Sequence, residues 1–202
     1  MNKEIPVISL QRLPVYLNYL KSLGNQKYVS SGGIAAALGM GEVLVRKDLA
    51  YTSAAGRPRV GYLKDELIAA LEDYLCCNGK RSAVLIGAGA LGRAVLSYGG
   101  FKNYGIEISA AFDTDPEKIG TQIAGKPVYG LEDLEKQVSA LNAEMAVLCV
   151  PNTAAQQIAD RLTSCGVKAI LNFAPVLIRT ADSVAVRNID VAANLAILSS
   201  LI

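Results

Sequence analysis

The sequence contains no histidine among its 202 residues. Histidine is the side chain that most often transfers protons in enzymes near neutral pH, so mechanisms that depend on it are excluded. No arrangement of lysine and tyrosine stands out as a substitute. These absences argue against an enzyme, and they make binding without turnover the better explanation for any ligand motif in the chain.

Long apolar runs are absent as well. No stretch of eighteen uninterrupted apolar residues occurs, although 51% of the residues are hydrophobic, so we expect no membrane-spanning segment. The first ten residues, MNKEIPVISL, lack the apolar core of a signal peptide. We therefore expect a cytoplasmic protein with enough apolar residues to form real cores.

Cysteines are few and show no metal-ligand spacing. The chain has four of them, Cys76, Cys77, Cys149 and Cys165, and neighbouring cysteines rarely form a disulfide with each other. We interpret the four as buried thiols in a reducing compartment. A redox role for Cys76 or Cys77 is left open.

The net charge of +2 is unevenly distributed. Residues 1–64 carry nine Lys and Arg against three Asp and Glu, whereas residues 65–202 carry eleven against fifteen. The basic first part is a candidate for binding a polyanion. A boundary segment with the sequence CCNGKRS follows a helical pattern. It divides the chain into modules at 1–79 and 80–188, followed by a tail at 189–202.

The second module alternates between strand-like and helix-like segments. Continuous apolar strands separated by helices are typical of a parallel sheet that is covered on both faces, so the fold class is α/β, with a doubly wound, Rossmann-type sheet. Strands are predicted at 82–87, 106–113, 127–129, 145–150 and 168–173, and helices at 90–98, 131–138 and 153–165.

Gly87, Gly89 and Gly92 form a G-x-G-x-x-G pattern where the first strand meets the first helix of this module. In a dinucleotide site the first glycine permits the turn, the second lets a pyrophosphate approach, and the third allows close helix–strand packing. The N–H groups of the helix start then face the phosphates. The alternative is a glycine turn that holds no ligand.

Asp113 ends the next strand, about 20 residues further on, as this type of site requires. Its carboxylate would accept hydrogen bonds from a ribose 2′-hydroxyl and would repel a 2′-phosphate. The pattern therefore favours NAD(H) over NADP(H).

The first module is predicted to be helical, with helices at 13–23, 32–38 and 42–51 and a glycine turn at 39–41. Helix, short turn and helix form a helix–turn–helix motif, and Ser30 or Ser31 is suited to cap its first helix. In the second, Val45 and Leu49 are spaced to face the core. Arg46 and Lys47 then point outward, as in a recognition helix that enters a major groove.

A glycine-flanked basic hairpin follows at 56–62, GRPRVGY. Its Arg57 and Arg59 could reach phosphates or a minor groove, in the manner of a wing. The alternatives are a solvated helix face for Arg46 and Lys47 and an ordinary basic turn for the hairpin. Taken together and in this order, the features predict a winged helix that binds double-stranded DNA.

The chain resembles the Rex family of redox-sensing transcriptional repressors over essentially its whole length. The resemblance depends on a long and specific set of motifs. They are Arg12-Leu13-Pro14 with Tyr16, Val29-Ser30-Ser31, 45–49 (VRKDL), 60–62 (VGY), Gly87-x-Gly-x-Leu91-Gly92, 98–101 (YGGF), 111–120 (AFDTDPEKIG), 172–176 (NFAPV) and 188–190 (NID).

The resemblance implies a homodimer with an N-terminal winged helix, a C-terminal Rossmann domain and a last helix swapped into the partner subunit. NAD+ and NADH would compete for one site, and NADH would release the repressor from a palindromic operator. The implied coenzyme residues are Gly87, Ala88, Gly89, Ala90, Leu91, Gly92, Tyr98, Asp113, Thr114, Val150, Pro151, Asn172, Phe173, Ala174 and Asp190. The implied DNA residues are Ser30, Ser31, Arg46, Lys47, Tyr51, Arg57, Arg59 and Tyr62.

The resemblance also suggests a sensor for the oxidation state of the nicotinamide. Tyr98 and the partner subunit's Asp190 are the candidates, with Arg12 as an alternative partner for Asp190. The wing departs from the family, because Pro58-Arg59 stands where an Arg-Gly pair is usual. Arg59 is therefore expected to be the minor-groove arginine.

The tail, DVAANLAILSSLI, predicts a helix over 190–202 that is capped by Asp190. Leu195, Leu198 and either Leu201 or Ile202 would lie on one side. The sheet is complete before this point, so the apolar helix needs another surface, which a partner subunit would provide. The alternative is packing against its own domain.

A second class of function also fits the glycine pattern, namely an NAD-dependent dehydrogenase with a helical accessory domain. Such an enzyme needs a proton donor beside the nicotinamide and chain enough for a substrate domain. The sequence has neither a histidine nor a further module, so the repressor is favoured.

Overall fold

The computed structural model describes residues 5–202. The chain divides into two compact units, with the boundary between Gly79 and Lys80. Residues 1–4, which belong to the stretch where no signal peptide is expected, lie outside the described residues. No helix over 5–202 combines the length and the apolar character that crossing a bilayer requires.

The described part of the first unit consists of five helices and a small antiparallel sheet. Tyr28 pairs with Leu63 and Val29 with Tyr62, which ties the end of the hairpin to the segment before the helix–turn–helix. The helices are α1 (Val7–Leu10), α2 (Leu13–Ser22), α3 (Ser31–Leu38), α4 (Glu42–Leu49) and α5 (Lys64–Tyr74), and the strands are β1 (Tyr28–Val29) and β2 (Tyr62–Leu63).

Local sequence signals determine the helix–turn–helix of this unit. Ser30 is the cap of α3, because its hydroxyl accepts a hydrogen bond from the Gly33 N–H at 2.9 Å. Gly39 ends α3 in the left-handed conformation with a φ of 64°, which glycine adopts without strain. The predicted order of helix, glycine turn and helix is confirmed, although α4 ends at Leu49 and not at residue 51.

The core of the first unit forms where three helices meet. Val45 and Leu49 of α4 are fully buried, as their i, i+4 spacing predicts, while Arg46 and Lys47 are exposed. The remaining core side chains come mainly from α2 and α5, namely Leu13, Tyr16, Leu17, Leu20, Leu67 and Leu71.

A buried ionic cluster joins α4 to the start of α2. Asp48 is 1% exposed, and its carboxylate accepts hydrogen bonds from Arg12 Nε at 2.6 Å, Arg12 Nη2 at 2.8 Å and the Tyr16 hydroxyl at 2.7 Å. Burial raises the pKa of Asp48, but the bonds from Arg12, Tyr16 and Ser9 offset this and hold its pKa below the ordinary 3.8. Burial, together with Asp48, raises the pKa of Tyr16 to about 12.

Asp48→Asn is expected to lower the free energy of unfolding by about 2 kcal/mol at neutral pH, because the variant loses a hydrogen-bonded charge. The pKa of Asp48 is lowered by folding, so its contribution is present above the unfolded pKa and is lost as the pH falls through the folded value, below 3.8. Urea unfolding at pH 7 and at pH 3 measures both effects. Asp73→Asn, on an exposed position of α5, is the control, and an equal effect there would contradict the account.

The second unit is an α/β sandwich around a seven-stranded sheet. The sheet order is β5-β6-β4-β3-β7-β8-β9, and every neighbouring pair is parallel except β5 with β6. The strands are β3 (Arg81–Ile86), β4 (Ile106–Asp113), β5 (Gln122–Ile123), β6 (Lys126–Gly130), β7 (Met145–Leu148), β8 (Ala169–Asn172) and β9 (Ala185–Asn188). The helices are α6 (Ala90–Ser97), α7 (Leu134–Ala140), α8 (Asn152–Ser164) and α9 (Val191–Ser199).

The predicted doubly wound sheet is confirmed, but two of its strands were not predicted. β5 has only two residues and turns back into β6 through Ala124 and Gly125, both with positive φ. β9 lies at the sheet edge, where only Val186 is half-buried, so its sequence lacks an apolar run. The helix predicted at 131–138 begins instead as a 3₁₀ turn over Leu131–Asp133 and continues as α7.

The chain order of the sheet places a crevice at one edge. β3 lies between β4 on one side and β7 on the other. The connection after β3 leads to β4 and the connection after β7 leads to β8, so the two run in opposite directions along the sheet. Ligands of open α/β sheets bind outside the carboxyl ends of the strands at such a reversal. The loops after β3, β4 and β7 meet there.

Candidate functional site

The crevice above these three strands has a volume of about 220 Å³. Apolar side chains of the strand ends and of α8 form its floor, and loop residues form its rim. We call it the glycine-loop crevice. Six of the residues predicted from the sequence line it, namely Gly87, Gly89, Asp113, Thr114, Val150 and Pro151.

Each glycine of the loop meets a different constraint. Gly87 has a φ of 96°, and a Cβ there would lie 2.4 Å from the Cys149 carbonyl oxygen. A Cβ on Gly92 would lie 2.0 Å from the carbonyl oxygen of Gly87, so α6 could not approach β3. A Cβ on Gly89 would meet nothing within 4 Å, because this position faces the open crevice. The geometry fits a loop that admits a pyrophosphate.

Asp113 is held in one orientation at the end of β4. Its carboxylate accepts hydrogen bonds from the Ala88 N–H at 2.8 Å, the Asp115 N–H at 2.9 Å and Lys118 Nζ at 3.2 Å. Burial raises the pKa of Asp113, but these three donors offset it and leave the pKa below its ordinary value. The carboxylate is therefore ionised, and three of its roughly four acceptor sites are used.

Lys118 is a residue of the crevice that sequence reasoning missed. Its Nζ lies 3.2 Å from Asp113 Oδ2 and 3.2 Å from Asp115 Oδ2, and these two carboxylates raise its pKa. Two carboxylates and one ammonium leave a net negative charge, so a ribose 2′-phosphate would still be repelled. The i, i+3 spacing of Asp115 and Lys118 was the signal that could have indicated the pair.

Other predicted coenzyme residues are not part of the crevice lining. Ala88 is fully buried and contributes its N–H to Asp113. Asn172 is also buried, and its Nδ2 donates to the Val176 carbonyl oxygen and to Asn188 Oδ1, both at 2.8 Å, so it shapes the loop that holds Phe173 and Ala174. Ala90 and Leu91 lie in the exposed first turn of α6.

The two candidate sensor residues are placed differently. Tyr98 ends α6 and is 64% exposed, with its ring edge-on to Phe101 at a centroid distance of 5.3 Å. Asp190 caps α9, since its carboxylate accepts a hydrogen bond from the Ala193 N–H at 2.8 Å. Arg12, the alternative partner for Asp190, is hydrogen-bonded to Asp48. A pair between Arg12 and Asp190 would therefore have to compete with the pair between Arg12 and Asp48.

The first unit carries a second concave surface, with a volume of about 450 Å³. It lies between the start of α3, one face of α4 and the hairpin, and we call it the basic groove. Ser30, Ser31, Arg46, Arg57, Arg59 and Tyr62 line it. Of the other two predicted residues, Lys47 is exposed and Tyr51 is half-buried.

The hairpin of the basic groove has a defined geometry. The Arg57 N–H donates to the Gly61 carbonyl oxygen at 2.7 Å, and the Gly61 N–H donates to the Arg57 carbonyl oxygen at 2.9 Å. Arg59 stands at the exposed tip with a φ of 63°. A Cβ on Gly61 would lie 2.4 Å from the Val29 carbonyl oxygen, so glycine is required where the hairpin returns to β1.

The interpretation of all four cysteines as buried thiols is wrong for Cys76, which is exposed. It follows α5 with a φ of 57°, a tight turn that directs its side chain outward. Cys77, Cys149 and Cys165 are half-buried, and all four are free thiols. Burial raises the pKa of Cys149 to about 11, which makes this thiol of the crevice a poor nucleophile.

Comparison with known proteins relates both units to one family. A family model for a putative DNA-binding protein N-terminus matches residues 4–50, and one for a CoA binding domain matches residues 78–176. The redox-sensing transcriptional repressor Rex of Treponema denticola is 41% identical over 94% of this chain and 91% of its own length. That of Syntrophomonas wolfei is 40% identical over 97% and 94%. The chain belongs to the Rex family of redox-sensing transcriptional repressors.

Solved structures of the Rex family match the whole fold. RSP in complex with β-NAD+ and operator DNA has a TM-score of 0.93 at 30% identity, covering 98% of this chain and 93% of that one. RSP in complex with β-NADH has a TM-score of 0.88 at 29% identity, covering 98% and 94%. Because these relatives are transcription regulators, the alternative of an NAD-dependent dehydrogenase is not favoured.

Proposed function

We propose that this chain is a cytoplasmic homodimer that binds a palindromic operator through its two basic grooves and leaves the operator when NADH replaces NAD+ in its glycine-loop crevices. The observation that carries the proposal is that six of the fifteen predicted coenzyme residues, including two glycines of the loop and Asp113, line one crevice at the reversal point of the sheet. The same chain presents a basic groove built on a helix–turn–helix.

The glycine-loop crevice supports a dinucleotide as the ligand. Gly89 leaves open space where a pyrophosphate would lie, at the start of α6, whose free N–H groups favour an anion. The ionised carboxylate of Asp113 has acceptor capacity left for a ribose hydroxyl. When bound, the coenzyme supplies a nicotinamide that is neutral when reduced and cationic when oxidised, which is the difference that a redox sensor must detect.

Asp113→Ala is expected to weaken NADH binding by about tenfold or more, because the ribose loses a charged acceptor. The same change should narrow the preference for NADH over NADPH, since Lys118 would remain without Asp113 beside it. Titration of the coenzyme fluorescence measures both dissociation constants. Glu117→Ala, on an exposed neighbouring position, is the matched control, and equal binding by the Asp113 variant and the wild type would sink the assignment.

The exposed apolar helix α9 at the end of the chain supports a dimer. Every residue of α9 is exposed, and Leu195, Leu198 and Ile202 are 67%, 60% and 107% exposed. A nine-residue helix with no charged side chain is not stable in water by itself, and an apolar helix of this kind is normally buried. Insertion into a second copy would cover it and would match the two-fold symmetry of a palindrome.

The double variant Leu195→Asp/Leu198→Asp is expected to convert the dimer to a monomer, because two carboxylates cannot be buried unpaired in an apolar interface. Light scattering after gel filtration gives the molar mass. Leu195→Met/Leu198→Met retains apolar volume and should remain dimeric. A dimer formed by the aspartate variant would exclude α9 from the interface.

We attribute the coupling between the glycine-loop crevice and the basic groove to a change in how the two subunits are arranged. NADH can release the operator only if it binds one arrangement better than the other, and a difference of about 1.4 kcal/mol changes the equilibrium tenfold. Tyr98 and the partner subunit's Asp190 are proposed to detect the nicotinamide.

A mobility-shift assay with palindromic promoter DNA tests the proposal. We expect the wild type to shift the DNA, NADH to reduce the shift and NAD+ to be far less effective. Incubation with NADH and candidate oxidants should give no turnover above the blank. Steady oxidation of NADH with no shifted DNA would favour the dehydrogenase.

A further inference from the structure

Among the described residues that line the basic groove, one is acidic, Glu42. It is the first residue of α4, one turn before Arg46, and it is exposed. In helix–turn–helix proteins the N-terminal residues of the recognition helix are the ones that contact base edges. Glu42 therefore occupies a position at which a side chain can contribute to sequence recognition.

The carboxylate of Glu42 is held in place by α3. The Ser31 hydroxyl donates a hydrogen bond to Glu42 Oε1 at 3.2 Å. A Cβ on Gly32 would lie 3.3 Å from Oε2, so the glycine leaves room for the carboxylate over the first turn of α3. One oxygen is thus bonded to Ser31, while the other has acceptor capacity left.

Among the residues that the structure describes, no cation lies within ion-pair distance of Glu42. Arg46 is at i+4 on the same helix, the spacing that favours an ion pair, yet no ion pair in the part of the chain that the structure describes includes Glu42 or Arg46. An unpaired carboxylate on a surface that binds a polyanion weakens phosphate contacts. A hydrogen bond accepted from the DNA would offset this cost.

We propose that Glu42 recognises a cytosine in the major groove of each half-site. A carboxylate can only accept hydrogen bonds, so it needs an exocyclic amino group, which cytosine and adenine present at N4 and N6. Guanine and thymine present the acceptors O6 and O4 instead, and the carboxylate of Glu42 would repel these oxygens. Adenine also carries the acceptor N7 next to its amino group, which leaves cytosine as the preferred base. This inference rests on the proposed function, because it requires operator binding through the basic groove.

A purely structural role for Glu42 predicts something different. An acidic residue in the first turn stabilises a helix through its dipole, and the bond to Ser31 links α4 to α3. Neither effect depends on the DNA sequence. If these were the only roles, removing the carboxylate would change the affinity for all operators by the same factor.

Selection from a pool of duplexes that are randomised in both half-sites separates these roles. The wild type is expected to enrich cytosine at one symmetric pair of positions by about tenfold or more. Glu42→Gln should shift this preference to adenine, with which an amide forms two hydrogen bonds. Glu42→Ala should lose the preference at that position alone. Glu66→Gln removes the same charge from the exposed first turn of α5 and should leave the profile unchanged.

An identical base profile for the wild type, Glu42→Gln and Glu42→Ala would overturn the inference, even if the affinity of the variants rose uniformly. Failure of the wild type to enrich any palindrome would instead contradict the proposed function. Thermal unfolding shows whether each variant folds. If Glu42→Ala does not, Glu42→Gln, which retains the side-chain length, decides the result by itself.

Discussion

Arg46→Ala is expected to lower operator affinity by about 100-fold or more and to abolish the specific footprint. A side chain of the recognition helix that contacts a base contributes about 1–3 kcal/mol, and a dimer would lose two such contacts. Val45 and Leu49 fix the rotation of α4 by their complete burial, which leaves Arg46 exposed in the basic groove. The loss should be larger for the operator than for random DNA, because non-specific binding depends on phosphate contacts.

Lys27→Ala is the control for this variant. It also removes one exposed cation from the first unit, but Lys27 does not line the basic groove. Footprinting and mobility shifts at several salt concentrations compare the two variants with the wild type. A normal footprint from Arg46→Ala would mean that α4 is not the recognition helix.

Gly92→Ala is expected to destabilise the second unit by about 3 kcal/mol or more and to abolish coenzyme binding. The added Cβ would lie 2.0 Å from the Gly87 carbonyl oxygen and 3.1 Å from Leu85 Cδ2. Because the closer atom belongs to the backbone of the glycine loop, no rotation of a side chain relieves the contact, and overpacking of this kind is costly. α6 would have to move away from β3, and with it the N–H groups that face the phosphates.

Calorimetry and NADH titration measure the two consequences of Gly92→Ala. Gly99→Ala is the matched control, since a Cβ at that position meets nothing within 4 Å, and its effect on stability should stay within about 0.5 kcal/mol. Wild-type stability for Gly92→Ala would mean that the tight approach of α6 to β3 is not required.

The parts of the fold that could be predicted from the sequence are those determined by local pattern. The two strands that lead to Gly87 and to Asp113 consist mainly of apolar residues, and this composition predicts that they are buried. The spacing of Val45 and Leu49 shows which side of α4 is internal. Ser30 and Asp190 cap helices through their own side chains. In each case the deciding interactions are within a few residues of one another along the chain.

The parts that were missed depend on contacts between distant segments. Asp48 follows two exposed cations in the sequence, and nothing local indicates that Arg12 and Tyr16 meet it in the core. Lys118 enters the crevice only because the loop after β4 folds back on Asp113. β9 is an edge strand that pairs with β8. Its formation therefore depends on this pairing and not on apolar residues of its own.

The measurement that tests the account most directly is operator occupancy as a function of the NADH/NAD+ ratio at constant total coenzyme. Fluorescence anisotropy of a labelled operator duplex reports the bound fraction. We expect the bound fraction to fall as the share of NADH rises. An occupancy that stays constant across the full range of ratios, in a protein that demonstrably binds NADH, would contradict the coupling between crevice and groove.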